Sequence, residues 1–263
     1  MMPLREEGCS LGKTVKVRNL VIGEGMPKIC VPITGRCEEN ILAAARAVLE
    51  VPADMAEWRA DWYDRAGSRD EVSVILKKIR SILGDMPLLM TFRTKQEGGE
   101  QEADPDTYKR ICTDAIHTGY IDLIDVELSS GDMTAGRLIR EAGASGVRVV
   151  ASSHDFDRTP DKIEMTRRLF KMKELGADIL KIAVMPQSRS DVASLLEVSA
   201  DAAERTDRPV IAISMGKLGT ISRIACEAFG SSVTFASASR ASAPGQPGAA
   251  ELKEMLIRLH GTI

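Results

Sequence analysis

Residues 176–187, Gly-Ala-Asp-Ile-Leu-Lys-Ile-Ala-Val-Met-Pro-Gln, read as a β-strand covered on both faces. Ile179, Leu180, Ile182, Ala183, Val184 and Met185 form a near-continuous apolar run, the pattern of a strand inside a parallel sheet, and Pro186 ends it. Lys181 interrupts that run, where burial disfavours an ammonium ion. One reading is a lysine that snorkels from the strand end or pairs with a buried carboxylate. The other is a neutral amine held ready to attack a carbonyl carbon and form a Schiff base. An ordinary lysine is neutral in only about one molecule in a few thousand at pH 7. The second reading therefore needs a dry strand and neighbouring cations.

Outward from this strand, the same alternation repeats along the chain. Strand patterns at 28–34, 55–61, 87–93, 121–127, 147–153, 177–185, 209–215 and 233–236 are each followed by a helical pattern. Those helices fall at 38–50, 69–83, 105–118, 133–142, 161–175, 190–206, 221–229 and 249–260. Eight β-then-α units in this length predict an α/β fold, a closed (β/α)8 TIM barrel. An open doubly wound sheet is the competitor, but no GxGxxG follows the first strand. Residues 14–22 alternate and end at Gly-Glu-Gly, which predicts a hairpin capping the bottom of the barrel. Residues 1–12 read as a disordered leader, and 13–263 as a single barrel domain.

Of 263 residues, 44% are hydrophobic and 28% charged, an ordinary soluble composition. A net charge of −3 without a basic, aromatic-interleaved patch argues against nucleic acid as a partner. No apolar run approaches the ~20 residues of a membrane span. Five cysteines without CxxC spacing fit reduced thiols in a cytoplasmic location.

In barrels of this kind the active site forms at the C-terminal strand ends. The unusual polar groups fall there: Glu57, Arg59 and Asp61; Arg93 and Glu97; Asp125 and Glu127; His154; Lys181. Arg223 lies on the turn into the seventh helix, and 241–246, Ala-Ser-Ala-Pro-Gly-Gln, follows the last strand as a Gly/Pro-rich loop. His154 stands on the strand next to the one bearing Lys181, and imidazole is the natural proton carrier near neutral pH. Glu57 and Arg59 share a side of their strand, either as an internal ion pair or facing a ligand. Arg59 and Arg93 fit a polyhydroxylated or anionic substrate and would supply the cations beside Lys181. Glu97 orients His154 or balances the arginines, and Asp125 and Glu127 read as interior salt-bridge partners. His154 has no second ligand at metal spacing, so no metal is expected.

Together, Glu57-Trp58-Arg59, Thr91-Phe92-Arg93 with Glu97-Gly98-Gly99-Glu100, Ser153-His154-Asp155-Phe156, the stretch from Lys181 to Gln187, and Ser242-Ala243-Pro244-Gly245-Gln246 resemble type I 3-dehydroquinate dehydratase, in order from about Lys13 to the C-terminus. The resemblance implies dehydration of 3-dehydroquinate to 3-dehydroshikimate by syn elimination, in the shikimate pathway of aromatic amino acid biosynthesis. It implies Lys181 as the Schiff-base lysine, His154 as the proton carrier and Glu97 as its partner. It further implies Arg223 as a clamp on the substrate carboxylate, and Glu57, Arg59 and Arg93 as contacts to ring hydroxyls. Ser242 and Gln246 would lie on a lid. A homodimer without cofactor or metal is implied as well. Ile213, Arg240 and Pro247 depart from what relatives often carry. The rival readings are a Schiff-base aldolase on the same barrel and a non-catalytic polyhydroxy-acid binder.

Overall fold

Eight parallel strands form a nearly closed ring, each followed by a helix on the outside. The structure, a computed structural model, describes residues 14–238 and 243–262. The predicted leader at 1–12 and the site residue Ser242 lie outside them.

The chain opens with a hairpin, β1 (Val15–Val17) and β2 (Leu20–Ile22), paired antiparallel. The ring follows as β3 (Lys28–Ile33), β4 (Met55–Arg59), β5 (Leu88–Thr91), β6 (Leu123–Glu127), β7 (Arg148–Asp155), β8 (Ile179–Val184), β9 (Val210–Ser214) and β10 (Val233–Phe235). Neighbours in sequence are neighbours in space, and β10 returns to pair with β3. The seam between β9 and β10 is thin: Ser232 N–H donates to the Val210 carbonyl at 2.8 Å, beside a single bridge from Val210 to Ser231.

The helices are α1 (Glu38–Leu49), α2 (Arg69–Leu83), α3 (Pro105–Ile116), α4 (Asp132–Ala144), α5 (Lys162–Glu174), α6 (Arg189–Arg205), α7 (Ile221–Ile224) and α8 (Ala249–His260). Their starts carry local signals. Asp104 caps α3 ahead of Pro105, Asp161 caps α5, and Ser188 and Asp191 form a reciprocal capping box on α6. The seventh helix departs from expectation. Instead of running over 221–229 it stops after one turn, and Glu227–Phe229 is a 3-10 turn. The Arg223 carbonyl accepts from the Thr234 hydroxyl at 3.0 Å, so β10 takes an acceptor that a longer helix would use.

Period-two alternation splits the ring into two cores. Outward residues such as Trp58, Met90, Val126, Leu180 and Ile182 pack under the helices. Inward residues Met55, Leu89, Leu123, Val150, Ile179, Ile211 and Val233 fill the lower barrel, and Val15, Val17 and Ile22 of the hairpin join them. Arg18, at the hairpin turn with a left-handed φ of 54°, binds Asp122 at 2.6 Å and Asp85 at 3.2 Å, in the connections leading into β6 and β5. The hairpin therefore closes the bottom. No helix among the described residues is long and apolar enough to cross a membrane.

Candidate active site

Above the apolar plug, the next inward residues are Glu57, Thr91, Asp125, Ser152 and Lys181. The layer after that holds Arg59, Arg93, Glu127 and His154. Pairing places Ser152 beside Lys181 and His154 beside Ala183, two residues further toward the strand ends. Glu57, Arg59, Arg93, Glu97, His154, Lys181, Arg223 and Gln246 line one pocket.

Lys181 is 4% exposed. Its Nζ lies 3.7 Å from Asp125 Oδ2, 4.0 Å from Glu57 Oε1 and 4.4 Å above the centre of the Phe235 ring. The charges directly against it are acids, because the inward positions of β4 and β6 at this height are Glu57 and Asp125; Arg93 stands across Asp125, whose Oδ2 both cations approach. Arg59 is held bidentately by Asp61, both bonds 2.8 Å, so Glu57 and Arg59 do not form the ion pair their spacing allowed. Glu57 accepts instead from the Thr91 hydroxyl at 2.8 Å. Arg93 donates to Asp125 and Glu127 at 2.8 Å each, to Ser152 at 3.1 Å and to Glu97 at 3.4 Å. Asp125 and Glu127 are thus interior salt-bridge partners. Burial works against ionising Asp125, yet Arg93 and Lys181 hold its carboxyl below the usual range.

Glu97 reaches His154 from the 3-10 turn Lys95–Glu97. Its Oε2 lies 2.9 Å from His154 Nδ1 and accepts the His154 backbone N–H at 3.0 Å. Because Oε2 already accepts a backbone N–H, it is the acceptor oxygen for Nδ1–H as well, which leaves Nε2 as the base. The turn depends on Gly98, with φ 81°: a β-carbon there would sit 2.3 Å from the Phe156 ring, which packs directly on it. Burial, then the charges of Arg93, Lys181 and Arg59, hold His154 well below the ordinary histidine range. Burial, then the charge of Glu127, pushes Glu97 up to about 8.

Type I 3-dehydroquinase is the family whose pattern the sequence matches, over residues 29–262. The chain is 48% identical over 248 residues to the 3-dehydroquinate dehydratase of Syntrophotalea carbinolica, covering 94% of this chain and 98% of that one. It is 44% identical over 252 residues to that of Clostridioides difficile, covering 95% and 99%. The chain belongs to the type I 3-dehydroquinase family. A crystal structure of the Clostridium difficile type I 3-dehydroquinate dehydratase with covalent modified comenic acid superposes with a TM-score of 0.93, at 43% identity, over 96% of this chain and all of that one.

Within this family fold, Arg223 is a buried cation without an ion-pair partner among the described residues. It is 1% exposed, and among the described residues no carboxylate stands within ion-pair reach. Two of its N–H groups go to backbone carbonyls, Pro244 at 3.2 Å and Phe235 at 3.4 Å, and Nε has no partner. Desolvation lowers it to about 10, so it stays cationic at neutral pH and presents an uncompensated charge to the pocket. The sequence reading assigned no role to Asp61, Phe156 or Phe235. Phe235 follows from Val233 by the period-two rule. The other two lie beyond strand ends, where no periodicity points inward.

Proposed function

We propose that the chain converts 3-dehydroquinate to 3-dehydroshikimate in the shikimate pathway of aromatic amino acid biosynthesis, through an imine on Lys181. The observation that carries this reading is the joint placement of a buried lysine and a carboxylate-backed histidine on one pocket wall. Family membership favours dehydration over aldol cleavage. The covalent modified comenic acid described in the Clostridium difficile relative is in keeping with a nucleophile in such a pocket.

In this mechanism Nζ adds to the ketone carbon and water leaves, giving a protonated imine that draws electrons from the adjacent carbon. His154 Nε2 removes the proton there, and the electron pair moves onto the imine nitrogen as an enamine. When the enamine collapses, the neighbouring hydroxyl departs as water with the proton from His154, giving syn elimination. Water then hydrolyses the imine and frees the amine. Glu97 keeps Nε2 facing the substrate. Arg223 binds the carboxylate, for which its fork geometry is suited. Glu57, Arg59 and Arg93 meet the ring hydroxyls, and Ser242 and Gln246 close over the substrate. The same reading makes residues 13–263 one catalytic domain of a cytoplasmic homodimer.

Borohydride reduction in the presence of 3-dehydroquinate, followed by peptide mass spectrometry, tests the lysine. The mass increment should fall on Lys181 and vanish in Lys181→Ala; labelling of another lysine contradicts the assignment. His154→Ala should still trap the imine while the near-UV signal of the conjugated enone fails to develop. Normal turnover by that variant removes the proton-transfer role.

A further inference from the structure

Two buried carboxyl groups stand behind His154, and the mechanism uses one. The other is Glu127, at the end of β6 and 1% exposed. Its Oε1 accepts from Arg93 Nη1 at 2.8 Å and from the Thr94 backbone N–H at 2.9 Å, and its Oε2 accepts from the Thr94 hydroxyl at 2.7 Å. The same Arg93 Nη1 donates to Glu97 at 3.4 Å, while Nη2 is committed to Asp125. Thr94 is also the anchor of the turn that carries Glu97, since its carbonyl accepts the N–H groups of Glu97 at 3.0 Å and Gly99 at 2.9 Å. Two carboxyl groups thus share one guanidinium nitrogen in a region without bulk water to screen them.

The balance of charge leaves two acids over. Glu57, Asp61, Glu97, Asp125 and Glu127 face the cations Arg59, Arg93 and Lys181. Arg59 is satisfied by Asp61, and Lys181 lies against Asp125 and Glu57. The groups facing the carboxyl pair are Arg93 from the end of β5, Asp125 from β6, His154 from β7, Lys181 from β8, and Glu57 and Arg59 from β4. Tyr108 and Cys112 face it from α3; burial pushes both well up, so they remain neutral, and the Tyr108 oxygen accepts the Glu127 backbone N–H at 2.8 Å.

We propose that Glu97 and Glu127 hold one proton between them, and that Glu127 is a positioning residue deciding how much of their shared negative charge rests on Glu97, against His154. The inference rests on His154 being the proton carrier. Two buried like charges that depend on one guanidinium nitrogen cannot both ionise cheaply. In keeping with this, burial raises Glu127 as it does Glu97, whereas Asp125, facing both Arg93 and Lys181, is lowered.

Glu127→Gln keeps the shape and the acceptor for Thr94 and Arg93, and can donate to the Thr94 hydroxyl. It removes the competitor, so the charge settles on Glu97 and favours the imidazolium of His154. The His154 titration midpoint, read by NMR with His117 and His260 as internal controls, should rise by roughly one unit. The acid limb of kcat/KM should move up with it. Glu127→Asp should return both toward wild type. Thr94→Val keeps the carbonyl that anchors the turn but removes the hydroxyl that donates to Glu127, so charge should move toward Glu97 and the midpoint should rise, by less than in Glu127→Gln.

If the midpoint stays or falls in Glu127→Gln, the two groups ionise separately and the proposal is wrong. Infrared spectroscopy of the wild-type protein supplies a second measurement, independent of any variant folding. A protonated buried carboxyl band should persist at neutral pH, and its absence overturns the shared proton. Neither readout requires substrate, so failure of the wild type to dehydrate 3-dehydroquinate would strike the proposed function and leave these results to stand on their own.

Discussion

Glu97 shows how an active site is held against the preference of its own groups. Burial and Glu127 push its carboxyl up to about 8, far above an unfolded glutamate. Between those two values the folded state binds more protons than the unfolded one, so stability falls as pH rises from about 4.5 to about 8. His154 acts in the opposite sense: its folded value is depressed, so stability is lost as pH falls below about 6.5. Glu97→Gln should therefore unfold at higher urea than wild type at pH 8, by about 1–3 kcal/mol. The gain should shrink toward pH 5, and activity should fall sharply. Urea titrations at both pH values check it, and equal stability throughout contradicts the buried-charge account. Lys181 and His154 were legible at this scale because an amine inside an apolar run and an imidazole at a strand end break the surrounding pattern. The neighbours of Lys181 were not, since partner choice among buried charges depends on heights in the barrel that no single strand reveals.

At the scale of elements, the 3-10 turn Lys95–Glu97 and the end of β7 are joined by the Phe156 ring lying on Gly98. That junction sets the 2.9 Å contact between Glu97 and His154. Gly98→Ala must push the ring away and strains a left-handed residue, at a cost on the order of 1 kcal/mol or more. It should lower kcat about tenfold or more while the KM of the substrate changes little; steady-state kinetics decide, and an unchanged kcat separates the turn from the chemistry. Most helices were legible from amphipathic spacing and caps, α2 and α8 to the residue. The shortened α7 was not. Its end is set by a hydroxyl on β10, a partner distant in sequence and invisible to local periodicity.

Across the whole molecule, the ring separates stability from function by height. Lower layers are apolar and closed by the hairpin, upper layers are ionic and carry the pocket. Arg18 belongs to the lower end, clasping Asp122 and Asp85. Arg18→Ala should cost roughly 1 kcal/mol, given its partial exposure, seen as a lower urea midpoint with kcat unaltered. A fall in kcat would show that the two ends communicate. The barrel itself was legible because eight alternating units admit few parallel topologies; the thin β9–β10 seam was not, since ring closure is decided by all the strands at once.

The sealed floor also governs traffic. A vessel stopped at its lower end cannot be swept through from end to end, so the molecule made leaves by the upper face at which its precursor arrived. Vacating and refilling are then strictly consecutive, and a spent ligand that lingers turns the next one away.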